Sequence, residues 1–166
     1  MPYDPNRHRR RSIRLRGYDY AQAGAYFVTI CTNVRAPWFG MVSGGAVQLS
    51  APGDMVAAWW REVTARFPPV DLDEYVVMPD HLHGIVLLRA EASQRVALGT
   101  VVQWFKTMTT NAYIRGVRER GWPPFEGRLW QRNYYERIIR DDEELAGVRR
   151  YIAENPAYWE ARRSSQ

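Results

Sequence analysis

The amino-acid sequence predicts an α+β domain, a single sheet with helices packed on one side. Two observations carry that prediction. Runs rich in β-branched and aromatic residues recur at 25–32, 75–88 and 134–140, and such residues fit a pleated, half-buried surface. Between these runs, apolar residues return every three or four positions, the period of a helix with one buried face. Interleaved strands and helices bury their apolar faces most simply as a sheet with helices laid on it. A ferredoxin-like β-α-β-β-α-β order is compatible with this interleaving. The length of 166 residues suits one core, so residues 1–20 read as a basic arm and 21–166 as one domain.

The first strand is expected at 25–32 (AYFVTICT). Pro37 to Gly45 breaks the pattern. Gly44-Gly45 signals a turn, with a short second strand at 46–49. Ser50 is placed to cap the first helix, with Pro52 in its first turn. Met55, Trp59, Val63 and Phe67 mark a stripe over about 54–66, and Pro68-Pro69 stops it. A strand begins at Tyr75-Val76-Val77, is interrupted by Met78-Pro79-Asp80, and continues as a buried strand over 81–88. Val101, Trp104, Phe105 and Met108 give a second helix over about 100–118, and 121–127 (GWPPFEG) is a loop. A strand follows at 134–140 (YYERIIR). Asp141 and Glu144 then form a D-x-x-E helix start. Leu145, Val148 and Ile152 give this C-terminal helix its buried side, and Pro156 is expected to end it.

Net charge is +5. Six arginines lie in the first twenty residues against Asp4 and Asp19, whereas Lys106 is the only lysine. A basic arm on a nearly balanced body points to a polyanion, most simply nucleic acid; a solvated tail is the plain alternative. No apolar run is long enough to cross a bilayer, and the basic N-terminus lacks the apolar stretch of a secretory signal. Cys31 is the only cysteine, which excludes an internal disulfide or a multi-cysteine zinc site and fits a reducing cytoplasm.

Two of the three histidines form one H-x-H, His81 and His83. Alternate strand residues share a face, so both imidazoles point one way with Leu82 opposite. Two imidazoles so placed can chelate a cation, but they are too few for a closed structural zinc site. An open site completed by an oxygen ligand, water and substrate fits best. On the last helix, Tyr151 and Asn155 are one turn apart on one face. They can set a hydroxyl and an amide over the histidines, with Glu154 as a second oxygen donor. Packing for the tyrosine and helix termination for the Asn-Pro are the alternatives, and spacing alone favours them.

Three segments together resemble the IS200-like tyrosine transposases, most closely those associated with repetitive extragenic palindromes (REP). They are RRRSIRLRGYDY…GAYFVTICT over 9–32, MPDHLHGIVLL over 78–88, and LWQRNYYERIIRDDEEL followed by RRYIAENPAYW over 129–159. The resemblance implies a ferredoxin-like antiparallel sheet, with a C-terminal helix carrying the nucleophile. It implies a homodimer, with Tyr151 catalytic and His81, His83 and Asn155 holding a divalent metal, Mg²⁺ or Mn²⁺. Asp80 departs from the family pattern, where Asn often precedes the first histidine, and is expected to shift cation preference. Tyr134 and Tyr135 compete with Tyr151 but read as strand and core residues. Single-stranded or hairpin DNA is the implied substrate, gripped by Arg9, Arg10, Arg11, Arg14, Arg16 and Arg132, in a cytoplasmic, nucleoid-associated setting.

Two rivals remain. A non-catalytic nucleic-acid-binding regulator on the same scaffold would keep the arm and lose the site. A phosphodiesterase using water would cut without a covalent adduct.

Overall fold

The computed structural model describes residues 23–89 and 95–165. The N-terminal arginines 9, 10, 11, 14 and 16 lie outside the described residues. The main sheet is four-stranded and antiparallel: β1 (Gly24–Cys31), β4 (Val70–Met78), β5 (His81–Leu88) and β6 (Tyr135–Ile139), in the order β4-β5-β1-β6. Two helices, α1 (Ala51–Arg66) and α2 (Leu98–Arg120), connect them in the β-α-β-β-α-β sequence. This is the ferredoxin-like arrangement. A small hairpin of β2 (Gly40–Ser43) and β3 (Ala46–Leu49) is inserted after β1. The third helix, α3 (Asp142–Ser164), closes the chain.

The period of two along each strand sorts side chains between two cores. Tyr26, Val28 and Ile30 of β1 and Leu82, Val86 and Leu88 of β5 enter the larger one, with Val56, Trp60, Val101 and Phe105 of α1 and α2. Phe27, Ile85 and Ile139 face the other way and meet Val148 and Ile152 of α3. The two connecting helices thus share one face of the sheet, and the C-terminal helix covers the opposite face.

Several elements depart from expectation. In α1 the fully buried residues are Val56, Trp60 and Val63; Met55 and Trp59 flank them, half-buried. The stripe is turned by one residue because Trp60 lies over Gly84, where no side chain intervenes. In α2 the buried face runs through Val101, Val102, Phe105, Thr109 and Tyr113, leaving Trp104 and Met108 at its edge.

Pro156 does not end the last helix, which runs on to Ser164. Proline removes one N–H and crowds the preceding turn. Here the second half is held by tertiary contacts instead: Glu160 accepts from the backbone N–H of Gly44 and Gly45, and Trp159 packs near His81. The caps form as read. Ser50 accepts from Gly53 N at 3.2 Å. Asp141 accepts from Glu144 N at 2.8 Å, while Glu144 reaches back to Arg140 N at 2.9 Å.

Candidate functional site

His81 and His83 occupy the first and third positions of β5, on the face that α3 covers. Both are almost fully buried, at 5% and 1% exposure, and their ring centroids are 4.4 Å apart. Each ring has a protein partner at Nδ1. His81 Nδ1 is 2.6 Å from Asp80 Oδ1, and His83 Nδ1 is 2.8 Å from Thr29 Oγ1 on the paired strand. A carboxylate only accepts, so His81 carries its proton at Nδ1. Nε2 is the ring nitrogen that neither Asp80 nor Thr29 engages, and for His81 the Nδ1–H tautomer leaves the Nε2 lone pair free to face a cation, the arrangement of carboxylate-oriented metal-binding histidines. Burial lowers the His81 imidazole below its ordinary range, against the pull of Asp80. Burial lowers His83 further, helped by the charges of His81, Arg35 and Arg162. Both rings are therefore held neutral, the form that ligates metals.

Helix α3 completes the site from the same chain. Tyr151 sits 5.5 Å from His83 between ring centroids, and Phe27 meets both, stacked on His83 at 5.3 Å and edge-on to Tyr151 at 5.9 Å. Asn155, 2% exposed, lies in the same cleft as His81. Tyr151, Asn155, Trp159 and Arg162 line one small cleft with Thr29, Arg35, His81 and His83. A larger depression between the end of α1 and the start of α2 shares no lining residue with it.

The donor set fits a divalent cation in an open site. Among the described residues no group of three or more His, Cys, Asp or Glu is placed to hold a metal; the uncharged oxygen donors lining the cleft beside the histidines are Thr29, Tyr151 and Asn155. Asp80 is turned the other way, its oxygens taken by His81 and by Arg35, whose Nε is 2.9 Å away. Burial alone would raise the Asp80 carboxyl; hydrogen bonds from His81 and Arg35 outweigh it and hold the group below its ordinary value.

The IS200-like transposase family model matches residues 56–155, more than half of the chain. The chain belongs to the IS200-like transposase family. An uncharacterised Haemophilus influenzae protein is 36% identical over 176 residues, spanning 95% of this chain and 94% of that protein. A second H. influenzae protein, provisionally named a REP-associated tyrosine transposase, is 25% identical over 83% of this chain and 73% of its own length. A solved REP-associated tyrosine transposase bound to a REP hairpin has the same fold, with a TM-score of 0.63 at 21% identity, covering 87% of this chain and 73% of that one. A chain from Deinococcus radiodurans, provisionally assigned as a transposase, aligns with a TM-score of 0.50 at 19% identity, covering 84% and 94%.

Within this family member, the structure brings together Tyr151, His81, His83 and Asn155. It does not bring in Glu154, which is exposed and accepts from the Tyr158 hydroxyl at 2.9 Å. Nor does it bring in Arg132, exposed in the segment before β6, whose carbonyl accepts from Lys106. Tyr134 packs toward the larger core. Tyr135 pairs with Thr29 in the sheet but does not line the cleft.

Five cleft neighbours escaped the sequence reading: Thr29, Phe27, Arg35, Trp159 and Arg162. Trp159 and Arg162 continue the face of Tyr151 and Asn155, eight and eleven residues on from Tyr151, so helical periodicity could have found them. Thr29 is two residues from Phe27 on one strand face and was readable only once its strand partner was known. No helix among the described residues is long and apolar enough to cross a membrane.

Proposed function

We propose that this chain is a metal-dependent single-stranded DNA transesterase that forms a 5′-phosphotyrosine intermediate at Tyr151 and later reseals the strand. The observation that carries this reading is the convergence, within one chain, of the Tyr151 phenol on a buried, neutral histidine pair with Asn155 beside it. His81, His83 and Asn155 would hold Mg²⁺ or Mn²⁺, which when bound supplies charge neutralisation at the scissile phosphate.

The chain's own groups do the rest. The phenolic oxygen of Tyr151 attacks phosphorus and gives its proton to solvent. The bond from phosphorus to the 3′ oxygen breaks, and that oxygen leaves with the electron pair and takes up a proton. The free energy of the phosphodiester stays in the phosphotyrosine, so an incoming 3′-OH can reverse the step without a nucleotide cofactor. Phe27 fixes the phenol by its edge-on contact. Arg162, exposed at the cleft, adds positive charge where phosphate oxygens would lie. Hairpin DNA is the substrate form we favour, because a fold relative was solved with a REP hairpin.

The test is a labelled single-stranded hairpin incubated with the protein and Mn²⁺, then run on a denaturing gel. A slow-migrating covalent adduct is expected, lost in Tyr151→Phe, in His81→Ala and with chelator, and kept in Tyr135→Phe. Cleavage without adduct would instead assign a hydrolase. Binding without cleavage across a panel of hairpins would assign a regulator. Family resemblance also implies a homodimer, which light scattering measures; the proposed chemistry needs no residue from a second chain.

A further inference from the structure

We propose that Arg35 is a positioning residue for the site: acting through Asp80, it fixes the imidazole of His81, and the turn at Val34–Arg35 is shaped to deliver it. The inference rests on the reading of His81 as a cation ligand.

It starts from a backbone anomaly. Val34 and Arg35 are consecutive non-glycine residues in the left-handed region, with φ of 53° and 56°. For a β-branched residue this is a genuine outlier. Val34 is 84% exposed, so its side chain gains no burial that offsets the strain. Strain of this kind persists only where the surroundings over-determine it, and here they do. Thr32 N and Oγ1 both donate to the Asp80 carbonyl, at 2.9 and 3.1 Å, Thr32 Oγ1 also reaches Ala36 O at 2.9 Å, and Asn33 N donates to Leu129 O at 2.8 Å.

What the turn presents is the guanidinium of Arg35. Its Nε donates to Asp80 Oδ2 at 2.9 Å, one terminal nitrogen to Oδ1 at 3.3 Å, and the other to Cys31 Sγ at 3.3 Å. A fork held at three points has one orientation. It grips both oxygens of a buried carboxylate, and the same Oδ1 accepts from His81 Nδ1 at 2.6 Å. Asp80 lies in the tight turn between β4 and β5, directly before His81. Without Arg35 its side chain could rotate off Nδ1, and the ring would lose both its tautomer and its angle. The turn thus explains Asp80 itself. The carboxylate serves the histidine from behind and does not enter the cleft as a ligand.

The rival account is a purely structural staple between the β1–β2 connection and the β4–β5 turn. Mn²⁺ titration of the full chain without DNA, followed by the electron paramagnetic resonance of free Mn²⁺, separates the two, with urea midpoints alongside. Arg35→Ala and Asp80→Ala should each weaken Mn²⁺ binding by roughly 10–100-fold. Asp80→Asn, whose amide oxygen still accepts from Nδ1–H, should rescue most of that loss. The two alanine effects should be non-additive when combined. Nitrogen-15 NMR should show the Nδ1–H tautomer of His81 in the wild type and lose it in Asp80→Ala.

Lower urea midpoints with unchanged Mn²⁺ affinity and tautomer overturn the inference and leave the metal site standing. A wild-type chain whose Mn²⁺ binding does not depend on His81 overturns both. Arg35→Lys keeps a charge at Asp80 and supplies a folded variant of intermediate affinity.

Discussion

Gly84→Ala should damage the core and the site together. Gly84 follows His83 on β5 and faces the larger core, where a Cβ would lie 2.6 Å from Trp60 Cζ2 and 3.1 Å from Cε2. Ordinary carbon contacts are about 3.5–4.0 Å, so strand and indole must part by roughly 1 Å. Trp60 is fully buried and its ring is set against Phe105, with centroids 5.2 Å apart. The indole cannot move away, so β5 must. Overpacking of this kind costs about 1–3 kcal/mol. At a urea dependence of about 2 kcal/mol/M, the unfolding midpoint should fall by about 0.5–1.5 M.

The strand displacement also carries His83 away from its 2.8 Å contact with Thr29. A shift of about 1 Å at a reacting site can cost on the order of 100-fold in rate. Adduct formation on hairpin DNA should therefore drop well beyond the fraction unfolded. Trp60→Phe combined with Gly84→Ala should recover part of the midpoint, with Trp60→Phe alone completing the cycle. An unchanged midpoint in Gly84→Ala, or no recovery in the double variant, refutes the steric argument.

Thr29→Val keeps shape and burial but removes the His83 Nδ1 partner, so Mn²⁺ affinity should fall by about tenfold, read by titration without DNA. Val34→Gly should raise stability by about 0.5–1 kcal/mol, the relief of left-handed strain less the added freedom of the unfolded chain; a lower urea midpoint would contradict the strained-turn reading. Burial pushes the Lys106 ammonium down to about 8. Between that value and the ordinary lysine range the unfolded chain binds a proton that the folded chain does not, so stability should rise with pH there. The neutral amine still donates to the carbonyls of Gln131 and Arg132. The rise should show between about pH 7.5 and 9, before Cys31, pushed up to about 11 by burial, acts with the opposite sign, and Lys106→Met should flatten it.

Strand β5 was legible to the residue because every position in it is apolar or histidine, and because Pro79-Asp80 marks its start. The first half of β4 was not. Its VDLDE segment carries acidic residues, and its register shifts between Leu72 and Tyr75, so no alternation survives in the sequence. Strand β2 has four residues after a proline and needs β3 to define it. The site was legible where spacing encodes geometry, in the H-x-H and in the i, i+4 pair on the helix. Reading Pro156 as a stop truncated that helix and hid Trp159 and Arg162, which its continuation places in the cleft. Arg35 left no local trace: left-handed backbone at Val-Arg has no compositional signature, and its partner Asp80 is 45 residues away.

The site is divided between two pieces that are anchored separately. The histidines belong to β5, paired with strands on both sides and backed by the larger core. Tyr151 and Asn155 ride on α3, whose buried contacts are fewer: Val148 and Ile152 against Phe27, Ile85 and Ile139. Pro156 removes a backbone hydrogen bond from within that helix, so its own propensity does not hold it in place. It is pinned instead on either side of the site. Arg149 pairs with Asp73 of β4 at 2.7 Å, two residues before Tyr151, and Glu160 binds the β2–β3 turn, five residues after Asn155. Neither anchor touches the strand that bears the histidines. Docking of α3 therefore sets the distance from phenol to imidazole, and its undocking costs less than opening the sheet, because less apolar surface is exposed. The inserted hairpin and the acidic first half of β4, the parts of the fold least readable from sequence, are the parts that hold the tyrosine over the histidines.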